Sequence, residues 1–237
     1  MQFAEWCAAA GDLLLGGQCA ACGTPGWGLC VACRTATSGP GYLTRPDPCP
    51  PGFPVTATTG PYGGRLQRLV SAHKEHQVLS LTPFFGERLA AAVRCLLDAS
   101  GSPRHAPVLL VPVPSTPAAV RARGYDATGA MTRRAARRLA APSGDLGPVG
   151  NVRARHLLVA SRRVQDQAGL GAADRRANLA GSLRVVGARP APGTLVVIVD
   201  DVVTTGSSLA EATRALRAAH IGVLGAATVA ATVRSRA

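Results

Sequence analysis

The chain has 237 residues, of which 47% are hydrophobic and 16% are charged. This balance excludes an intrinsically disordered chain and favours one well-buried core with a small appended module. No segment approaches the ~18–20 uninterrupted apolar residues of a membrane span, and the formal net charge of +13 suits anionic ligands, nucleic acid or an ordinary arginine-rich surface.

Residues 1–39 combine a short amphipathic stretch, predicted to be helical, with four cysteines in two pairs, Cys19 and Cys22 and then Cys30 and Cys33. We recognise no export signal, so we expect a cytoplasmic protein with reduced thiols, in which a metal outranks a disulfide. Two Cys-x2-Cys pairs supply four thiolates for a tetrahedral Zn²⁺, and a site with four protein ligands is closed and structural. An iron–sulfur cluster and free thiols are the alternatives.

Residues 40–54 contain six prolines, which exclude a helix or a central strand and indicate a linker. From there to residue 237, strand and helix patterns alternate. The predicted strands lie at 54–62, 107–113, 194–199 and 221–231, and the predicted helices lie at 63–74, 84–97, 124–140 and 208–220. Wholly apolar strands are typical of a parallel sheet that is covered on both faces. For residues 55–237 we therefore predict an α/β fold with a doubly wound parallel sheet and helices on both faces.

The segment "VVIVDDVVTTGSS" (196–208) places two aspartates where a buried strand ends and then a run of small hydroxyl residues. Ligands bind beyond the carboxyl ends of the strands in such sheets. Asp200 and Asp201 can accept hydrogen bonds from the vicinal hydroxyls of a ribose or face a cation. The following turn offers backbone N–H groups and a helix dipole to an anion, and Gly206 permits close backbone approach to the ligand. The pattern predicts a sugar phosphate ligand, whereas an ordinary N-capped helix explains only one of the hydroxyls.

This segment resembles the phosphoribosyl pyrophosphate (PRPP) motif of type I phosphoribosyltransferases, and further motifs resemble the ComF family in the same order. "PVPSTPAAVRARGYD" (112–126) is similar to that family's proline-rich strand end and Arg-Gly-Phe-Asn segment. "PYGGRLQRLVSAHK" (61–74) and the four-cysteine head are also ComF-like. The family's Gln, Leu, Arg and Asn pattern falls on Gln167, Leu170, Arg175 and Asn178.

The resemblance implies a type I phosphoribosyltransferase fold and the transfer of phosphoribose from Mg²⁺-bound PRPP to an acceptor, with release of pyrophosphate. The two aspartates would hold the ribose 2′ and 3′ hydroxyls, the turn after them would hold the 5′-phosphate, and Mg²⁺ would be carried on the pyrophosphate. The basic segment near 153–178 would be a mobile flap. The PRPP-binding residues implied are Asp200, Asp201, Val203, Thr204, Thr205, Gly206, Ser207 and Ser208, with Val113, Pro114 and Ser115 at the pyrophosphate.

Phosphoribosyl transfer requires positive charge near the leaving pyrophosphate. Lys74 is the one lysine of the chain, which indicates a site that needs a compact ammonium, and it aligns with a lysine of the ComF pattern; an ordinary surface lysine is the alternative. The arginine candidates, each also explicable as a solvated side chain, are Arg121, Arg123, Arg162 and Arg163. As catalytic residues we predict Asp200, Asp201, Lys74 and Arg123.

Three departures from the family patterns concern the acceptor. Thr204 stands where purine-salvage enzymes carry an acidic residue, so a purine acceptor is disfavoured. Tyr125 and Asp126 replace the usual Phe and Asn, and Val164 replaces a common Thr. The alternatives to an enzyme are a non-catalytic PRPP sensor and an accessory protein in DNA uptake that binds single-stranded DNA or a competence partner. A homodimer is left open.

Overall fold

The computed structural model of the chain describes residues 17–26, 28–103, 105–141, 149–161 and 181–232. The predicted N-terminal helix and the residues Arg162, Arg163, Gln167, Leu170, Arg175 and Asn178 lie outside these ranges. The strands are β1 (Tyr42–Thr44), β2 (Thr56–Thr58), β3 (Val108–Pro112), β4 (Val152–Ala154), β5 (Leu158–Ala160), β6 (Leu183–Val185), β7 (Leu195–Val203) and β8 (Gly225–Ala231). The helices are α1 (Val31–Thr37), α2 (Gly64–Glu75), α3 (Thr82–Ala99), α4 (Pro117–Arg123), α5 (Ala127–Ala140) and α6 (Ser207–Ala218), and Leu79–Leu81 forms one 3-10 turn.

Six of these strands form one sheet in the order β1-β2-β8-β7-β3-β4. All neighbours in it are parallel except β1, which pairs antiparallel with β2 at the edge. β5 and β6 form a separate antiparallel pair. The prediction of an α/β fold built on a mainly parallel sheet is confirmed.

Alternate residues of the central strands face two separate cores, as the two-residue period of a strand requires. Leu110 and Val197 point to one side, where they belong to a buried cluster with side chains of α2, α3 and α5. Leu109, Val196 and Ile198 point to the other side, where α6 and β5 cover them. The sheet is thus flanked by helices on both faces.

The structure differs from the prediction in several segments, and three of these differences concern strands of the main sheet. β7 was expected to end at residue 199, but it continues to Val203 because β8 keeps pairing with it as far as Ala231. Part of the proline-rich segment 40–54 forms the edge strand β1. Residues 152–154, at the start of the predicted flap, instead pair in parallel with β3 and so belong to the main sheet.

None of the helices in the described part of the chain combines the length and the apolar content that crossing a membrane would require.

Candidate functional site

The carboxyl ends of β3 and β7 meet at one edge of the sheet, because the two strands are adjacent and parallel. Val113, the first residue after β3, donates its backbone N–H to the carbonyl of Val199 at 2.9 Å. This bond holds the start of the loop after β3 beside the last residues of β7. The two segments singled out in the sequence, 113–116 and 200–208, are therefore neighbours.

These segments and one face of α2 enclose an open cleft of about 650 Å³. Most of the residues predicted for the site line it. From the predicted set they are Lys74, Val113, Pro114, Ser115, Arg123, Asp200, Asp201, Thr204 and Ser208. The structure thus gathers onto one surface residues that are far apart in the sequence.

Lys74 and Asp201 form an ion pair across the cleft, with 2.6 Å between Nζ and Oδ2. Asp201 is buried, at 7% exposed, whereas 30% of the Lys74 side chain is accessible. Burial works against the charged form of this lysine, but the carboxylates of Asp201 and Asp200 outweigh it and raise the pKa of Lys74. Lys74 is therefore charged at neutral pH, and its ammonium directly faces the aspartate pair.

Asp200 lies in a less favourable environment than its neighbour. Its Oδ1 accepts the backbone N–H of Asp201 at 2.9 Å. Burial, together with the negative charge of Asp201, raises the pKa of the Asp200 carboxyl well above its ordinary value, and Lys74 offsets this only in part. A carboxylate in this position gains from any hydrogen-bond donor or cation that enters the cleft.

The turn at 204–206 connects β7 to α6 and exposes the amino end of that helix. The N-cap is Gly206, which has no side chain with which to cap α6. The hydroxyls of Thr205 and Ser207 lie 3.0 Å apart and bond to each other, and the N–H of Ser207 makes only a long contact of 3.4 Å with Thr205 Oγ1. Free N–H groups at the start of a 12-residue helix attract an anion.

Gly206 also makes a close contact within the chain that the sequence did not indicate. Its φ is +74°, in the left-handed region. A Cβ on Gly206 would lie 2.6 Å from the Phe53 ring and 3.0 Å from Pro46. The space left by the missing side chain is thus filled by the proline-rich segment, which covers the outer side of the turn, while Thr204, Thr205 and Ser208 stay exposed.

The other predicted residues of β7, the turn and α4 are only partly among those that line the cleft. Val203 is buried at 3% exposed. Thr205, Gly206 and Ser207 are not among the lining residues, although they lie between Thr204 and Ser208 in the sequence. Arg121 is exposed and is not among the lining residues, whereas Arg123 is, with its Nε donating to the carbonyl of Ala119 at 2.9 Å.

The segment after α4 bonds to α2 and caps α5, two helices close to the site. Tyr125 donates its hydroxyl to the backbone carbonyl of His73 and packs edge-on against the His73 ring, with 5.8 Å between the centroids. Asp126 caps α5 by accepting the N–H of Gly129 at 3.0 Å. The two residues that depart from the ComF pattern thus have structural roles, and Tyr125 fixes the end of α2 that carries Lys74.

The sequence analysis did not identify a group of residues on α2 that also line the cleft. Gln67, Ser71 and Glu75 are spaced by four residues and lie on the same face as Lys74. Helical periodicity counted from Lys74 would have found them. Tyr62 and Thr116 complete the polar rim, and nothing in their local sequence indicated this.

The four predicted metal ligands form a second site. The Sγ atoms of Cys19, Cys22, Cys30 and Cys33 all lie within 4.8 Å of one another, and those of Cys22 and Cys30 are 3.8 Å apart. Tetrahedral Zn²⁺ with Zn–S bonds of ~2.3 Å sets its sulfur atoms roughly 3.8 Å apart. The set fits one metal ion such as zinc.

Backbone bonds hold the cysteine pairs in this arrangement. The N–H of Cys30 points to Cys19 Sγ at 3.5 Å, and Cys30 Sγ accepts the N–H of Cys33 at 3.4 Å, capping α1. Gly23, just after the first pair, has φ +75° and donates its N–H to the Cys19 carbonyl at 2.8 Å. Thiolates that already accept N–H bonds are stabilised as metal ligands.

The cysteine cluster packs against α3. Cys19 and Cys33 belong to the same buried cluster as Phe84 and Phe85. Arg34 pairs with Glu87 at 3.1 Å and lies over the Phe84 ring, 5.4 Å from its centroid. The cluster therefore contributes to the main core rather than to the cleft.

Comparison of the chain with protein-family models finds no matching family, and comparison with curated proteins finds no match.

Proposed function

We propose that the chain is a ComF-like protein of the type I phosphoribosyltransferase group, which binds Mg²⁺-PRPP in the cleft and transfers its phosphoribose to an acceptor. The observation that carries this proposal is the position of Asp200 and Asp201 on one cleft with the open amino end of α6. Hydroxyl acceptors beside an anion cradle are complementary to a ribose 5-phosphate. The two aspartates lie near the carboxyl end of β7, and parallel α/β sheets bind ligands beyond the carboxyl ends of their strands.

Different residues of the cleft bind different parts of the ligand. Asp200 and Asp201 accept hydrogen bonds from the ribose 2′ and 3′ hydroxyls. The N–H groups at the start of α6 and the hydroxyls of Thr204 and Ser208 donate to the 5′-phosphate. The loop 113–115 then lies on the side of the cleft where the pyrophosphate would be, since it is adjacent to β7.

Transfer breaks the bond from ribose C1 to pyrophosphate, which leaves with the electron pair, and forms a bond from C1 to the acceptor, which loses a proton. Positive charge near the leaving group lowers this barrier. Lys74 and Arg123 are the cationic side chains on the cleft wall. Mg²⁺, when bound with the substrate, would neutralise the pyrophosphate, and the aspartate pair offers oxygen ligands of the type that Mg²⁺ prefers.

Lys74 also balances the negative charge of the aspartate pair when no ligand is bound. Without ligand it neutralises Asp201, which limits the repulsion between the two adjacent carboxylates. When ribose hydroxyls occupy the carboxylates, the ammonium becomes available to the pyrophosphate. A compact, mobile ammonium suits this exchange better than a guanidinium.

For the cysteine cluster we propose one structural Zn²⁺ per chain, because all four ligands come from the protein and leave no open position for a substrate.

Calorimetric titration with Mg²⁺-PRPP tests the main proposal. We expect one site per chain in the wild type and no detectable binding in the Asp200→Asn/Asp201→Asn double variant. Asp98→Asn, on an exposed position near the end of α3, is the matched control and should bind normally. Wild-type affinity in the double variant would contradict the proposal.

Pyrophosphate release across a panel of bases then separates an enzyme from a PRPP sensor, since a sensor binds PRPP without turnover. The third function, in DNA uptake, predicts salt-dependent binding of single-stranded DNA that does not require the aspartates.

A further inference from the structure

A second cavity of about 260 Å³ lies on the other side of the first turn of α2 from the cleft. Tyr62 and Gln67 face the cleft, whereas their neighbours Pro61, Gly63 and Arg65 face this cavity. Its walls come from the end of α1, the end of β2, the start of α2 and the middle of α3. The lining residues are Ala36, Thr37, Ser38, Thr59, Gly60, Pro61, Gly63, Arg65, Leu66 and Arg88.

Arg88 is the unusual member of this wall. Only 4% of the residue is exposed, and none of its three side-chain nitrogens has a hydrogen-bond partner among the described residues. The guanidinium lies 5.6 Å from the Phe84 ring centroid, and its Nη2 lies 2.7 Å from the position that a Cβ on Gly60 would occupy. Burial lowers the pKa of Arg88 to about 10, and Tyr42 only partly counters this. A buried guanidinium without an acceptor is costly, and an entering anion would relieve that cost.

Two further features of the wall favour an anion. Arg65 is exposed at the mouth of the cavity. The first turn of α2, a helix of 12 residues, has the N-cap Gly63, which makes no side-chain cap. Its first N–H groups therefore retain their donor capacity beside the cavity.

The hydroxyls of the cavity are already engaged as donors. Thr37 Oγ1 donates to the carbonyl of Cys33 at 2.7 Å, Ser38 Oγ to that of Arg34 at 2.7 Å, and Thr59 Oγ1 to that of Val229 at 2.9 Å. They shape the cavity, and among the described residues that line it the side chains of Arg65 and Arg88 and the amino end of α2 remain as donors. These are the groups that recognise a planar or tetrahedral oxyanion.

We propose that this cavity binds a small molecule through a carboxylate or phosphate group held by Arg88, Arg65 and the amino end of α2. The site is distinct from the PRPP cleft and does not rest on the function proposed for that cleft. The volume exceeds that of a single oxyanion, so the ligand has a further part that contacts Leu66 and Pro61.

Titrations with inorganic phosphate and, separately, with succinate test the site and decide between the two oxyanions. We expect at least one of them to bind the wild type and its affinity to fall by about tenfold or more in Arg88→Met and in Arg65→Met, as for the loss of a charged hydrogen bond. Arg68→Met, on the same helix but lining neither cavity, is the control and should retain wild-type affinity. PRPP titration of Arg88→Met should be unchanged, which separates this site from the cleft.

Melting curves without added anion complete the test. Arg88→Met should melt at the wild-type temperature or above it, because it removes a buried charge without an acceptor. A strongly lowered melting temperature, or failure to fold, would mean that the Arg88 guanidinium already has a stabilising partner in the free protein, and the proposal would be overturned. Equal affinity of the wild type, Arg88→Met and Arg65→Met for both anions, or no binding of either, would overturn it too.

Discussion

Lys74 Nζ lies 2.6 Å from Asp201 Oδ2, whereas Asp200, the preceding residue on β7, forms no ion pair with any of the described residues. Two adjacent carboxylates of the same strand are therefore in opposite situations. Asp201 is paired with the ammonium, whereas burial and its neighbour's charge raise the pKa of Asp200. We therefore expect substitutions of Asp200 and Asp201 to change the free energy of unfolding in opposite directions.

We expect Asp200→Asn to stabilise the unliganded protein at pH 7 by roughly 1–3 kcal/mol, because a carboxyl with a raised pKa opposes folding once it is ionised. Asp201→Asn should instead destabilise it by roughly 1–3 kcal/mol, because Lys74 loses its partner. Urea unfolding of both single variants measures the two values. Each variant serves as the control for the other, and changes of the same sign would contradict the assigned environments.

The close packing of Phe53 against Gly206 gives a second prediction, which concerns the stability of the turn between β7 and α6. Gly206→Ala meets both a positive φ of +74° and the Phe53 ring, and we expect a loss of more than ~2 kcal/mol. Gly187→Ala is the matched control, since Gly187 has φ +77° and no atom within 4 Å of its Cβ position; it should cost only ~1 kcal/mol. Thermal unfolding of the two variants gives the comparison, and equal losses would show that Phe53 yields easily.

The apolar periodicity predicted the long helices that cover the core. Phe85, Leu89, Val93 and Leu96 recur at helical spacing in the predicted helix 84–97, and all four are buried in α3. The run at 107–113 is β3, entirely buried. These features depend on local pattern and burial, which the sequence contains directly.

Features that depend on partners distant in the sequence could not be predicted. The length of β7 is determined by its pairing with β8, so Asp200 and Asp201 lie within a strand and not after it. The packing of Phe53 against Gly206 joins a proline-rich segment to a turn with no shared pattern. The burial of Arg88 depends on how α3 packs in the fold, and its local sequence does not indicate it.

The cysteine cluster predicts about one zinc per purified chain, measured by elemental analysis. Cys19→Ser with Cys30→Ser should lose the metal and lower the melting temperature, because the cluster packs into the same core as Phe84. Cys49→Ser with Cys95→Ser, at two cysteines outside the cluster, is the control and should keep the metal. Iron in place of zinc would identify an iron–sulfur cluster, and a full zinc content in the Cys19/Cys30 variant would contradict the ligand assignment.

We predict that the protein loses stability in acid because His73 is buried. The residue is 3% exposed, its Nε2 lies 3.0 Å from Thr82 Oγ1, and its ring packs 5.0 Å from that of Phe85. Burial lowers the pKa of His73 to about 4; Lys74 and Arg123 act in the same direction, and Asp201 opposes them. The ordinary pKa of a histidine is 6.5. The contribution of neutral His73 to the free energy of unfolding is therefore fully present above pH 6.5. It is lost as the pH falls towards 4, by about 3 kcal/mol in total.

Urea unfolding from pH 7 to pH 4 measures this loss. His73→Gln cannot take up the proton, so its unfolding free energy should fall less steeply over this range than that of the wild type, whatever its stability at pH 7. His220→Gln, at an exposed histidine, should follow the wild-type slope. Other ionisable groups of the chain also contribute to the slope over this range, and comparing the slopes of the three proteins removes their shared contribution. Parallel curves for the wild type and His73→Gln would mean that His73 takes up its proton without opposition from its buried position.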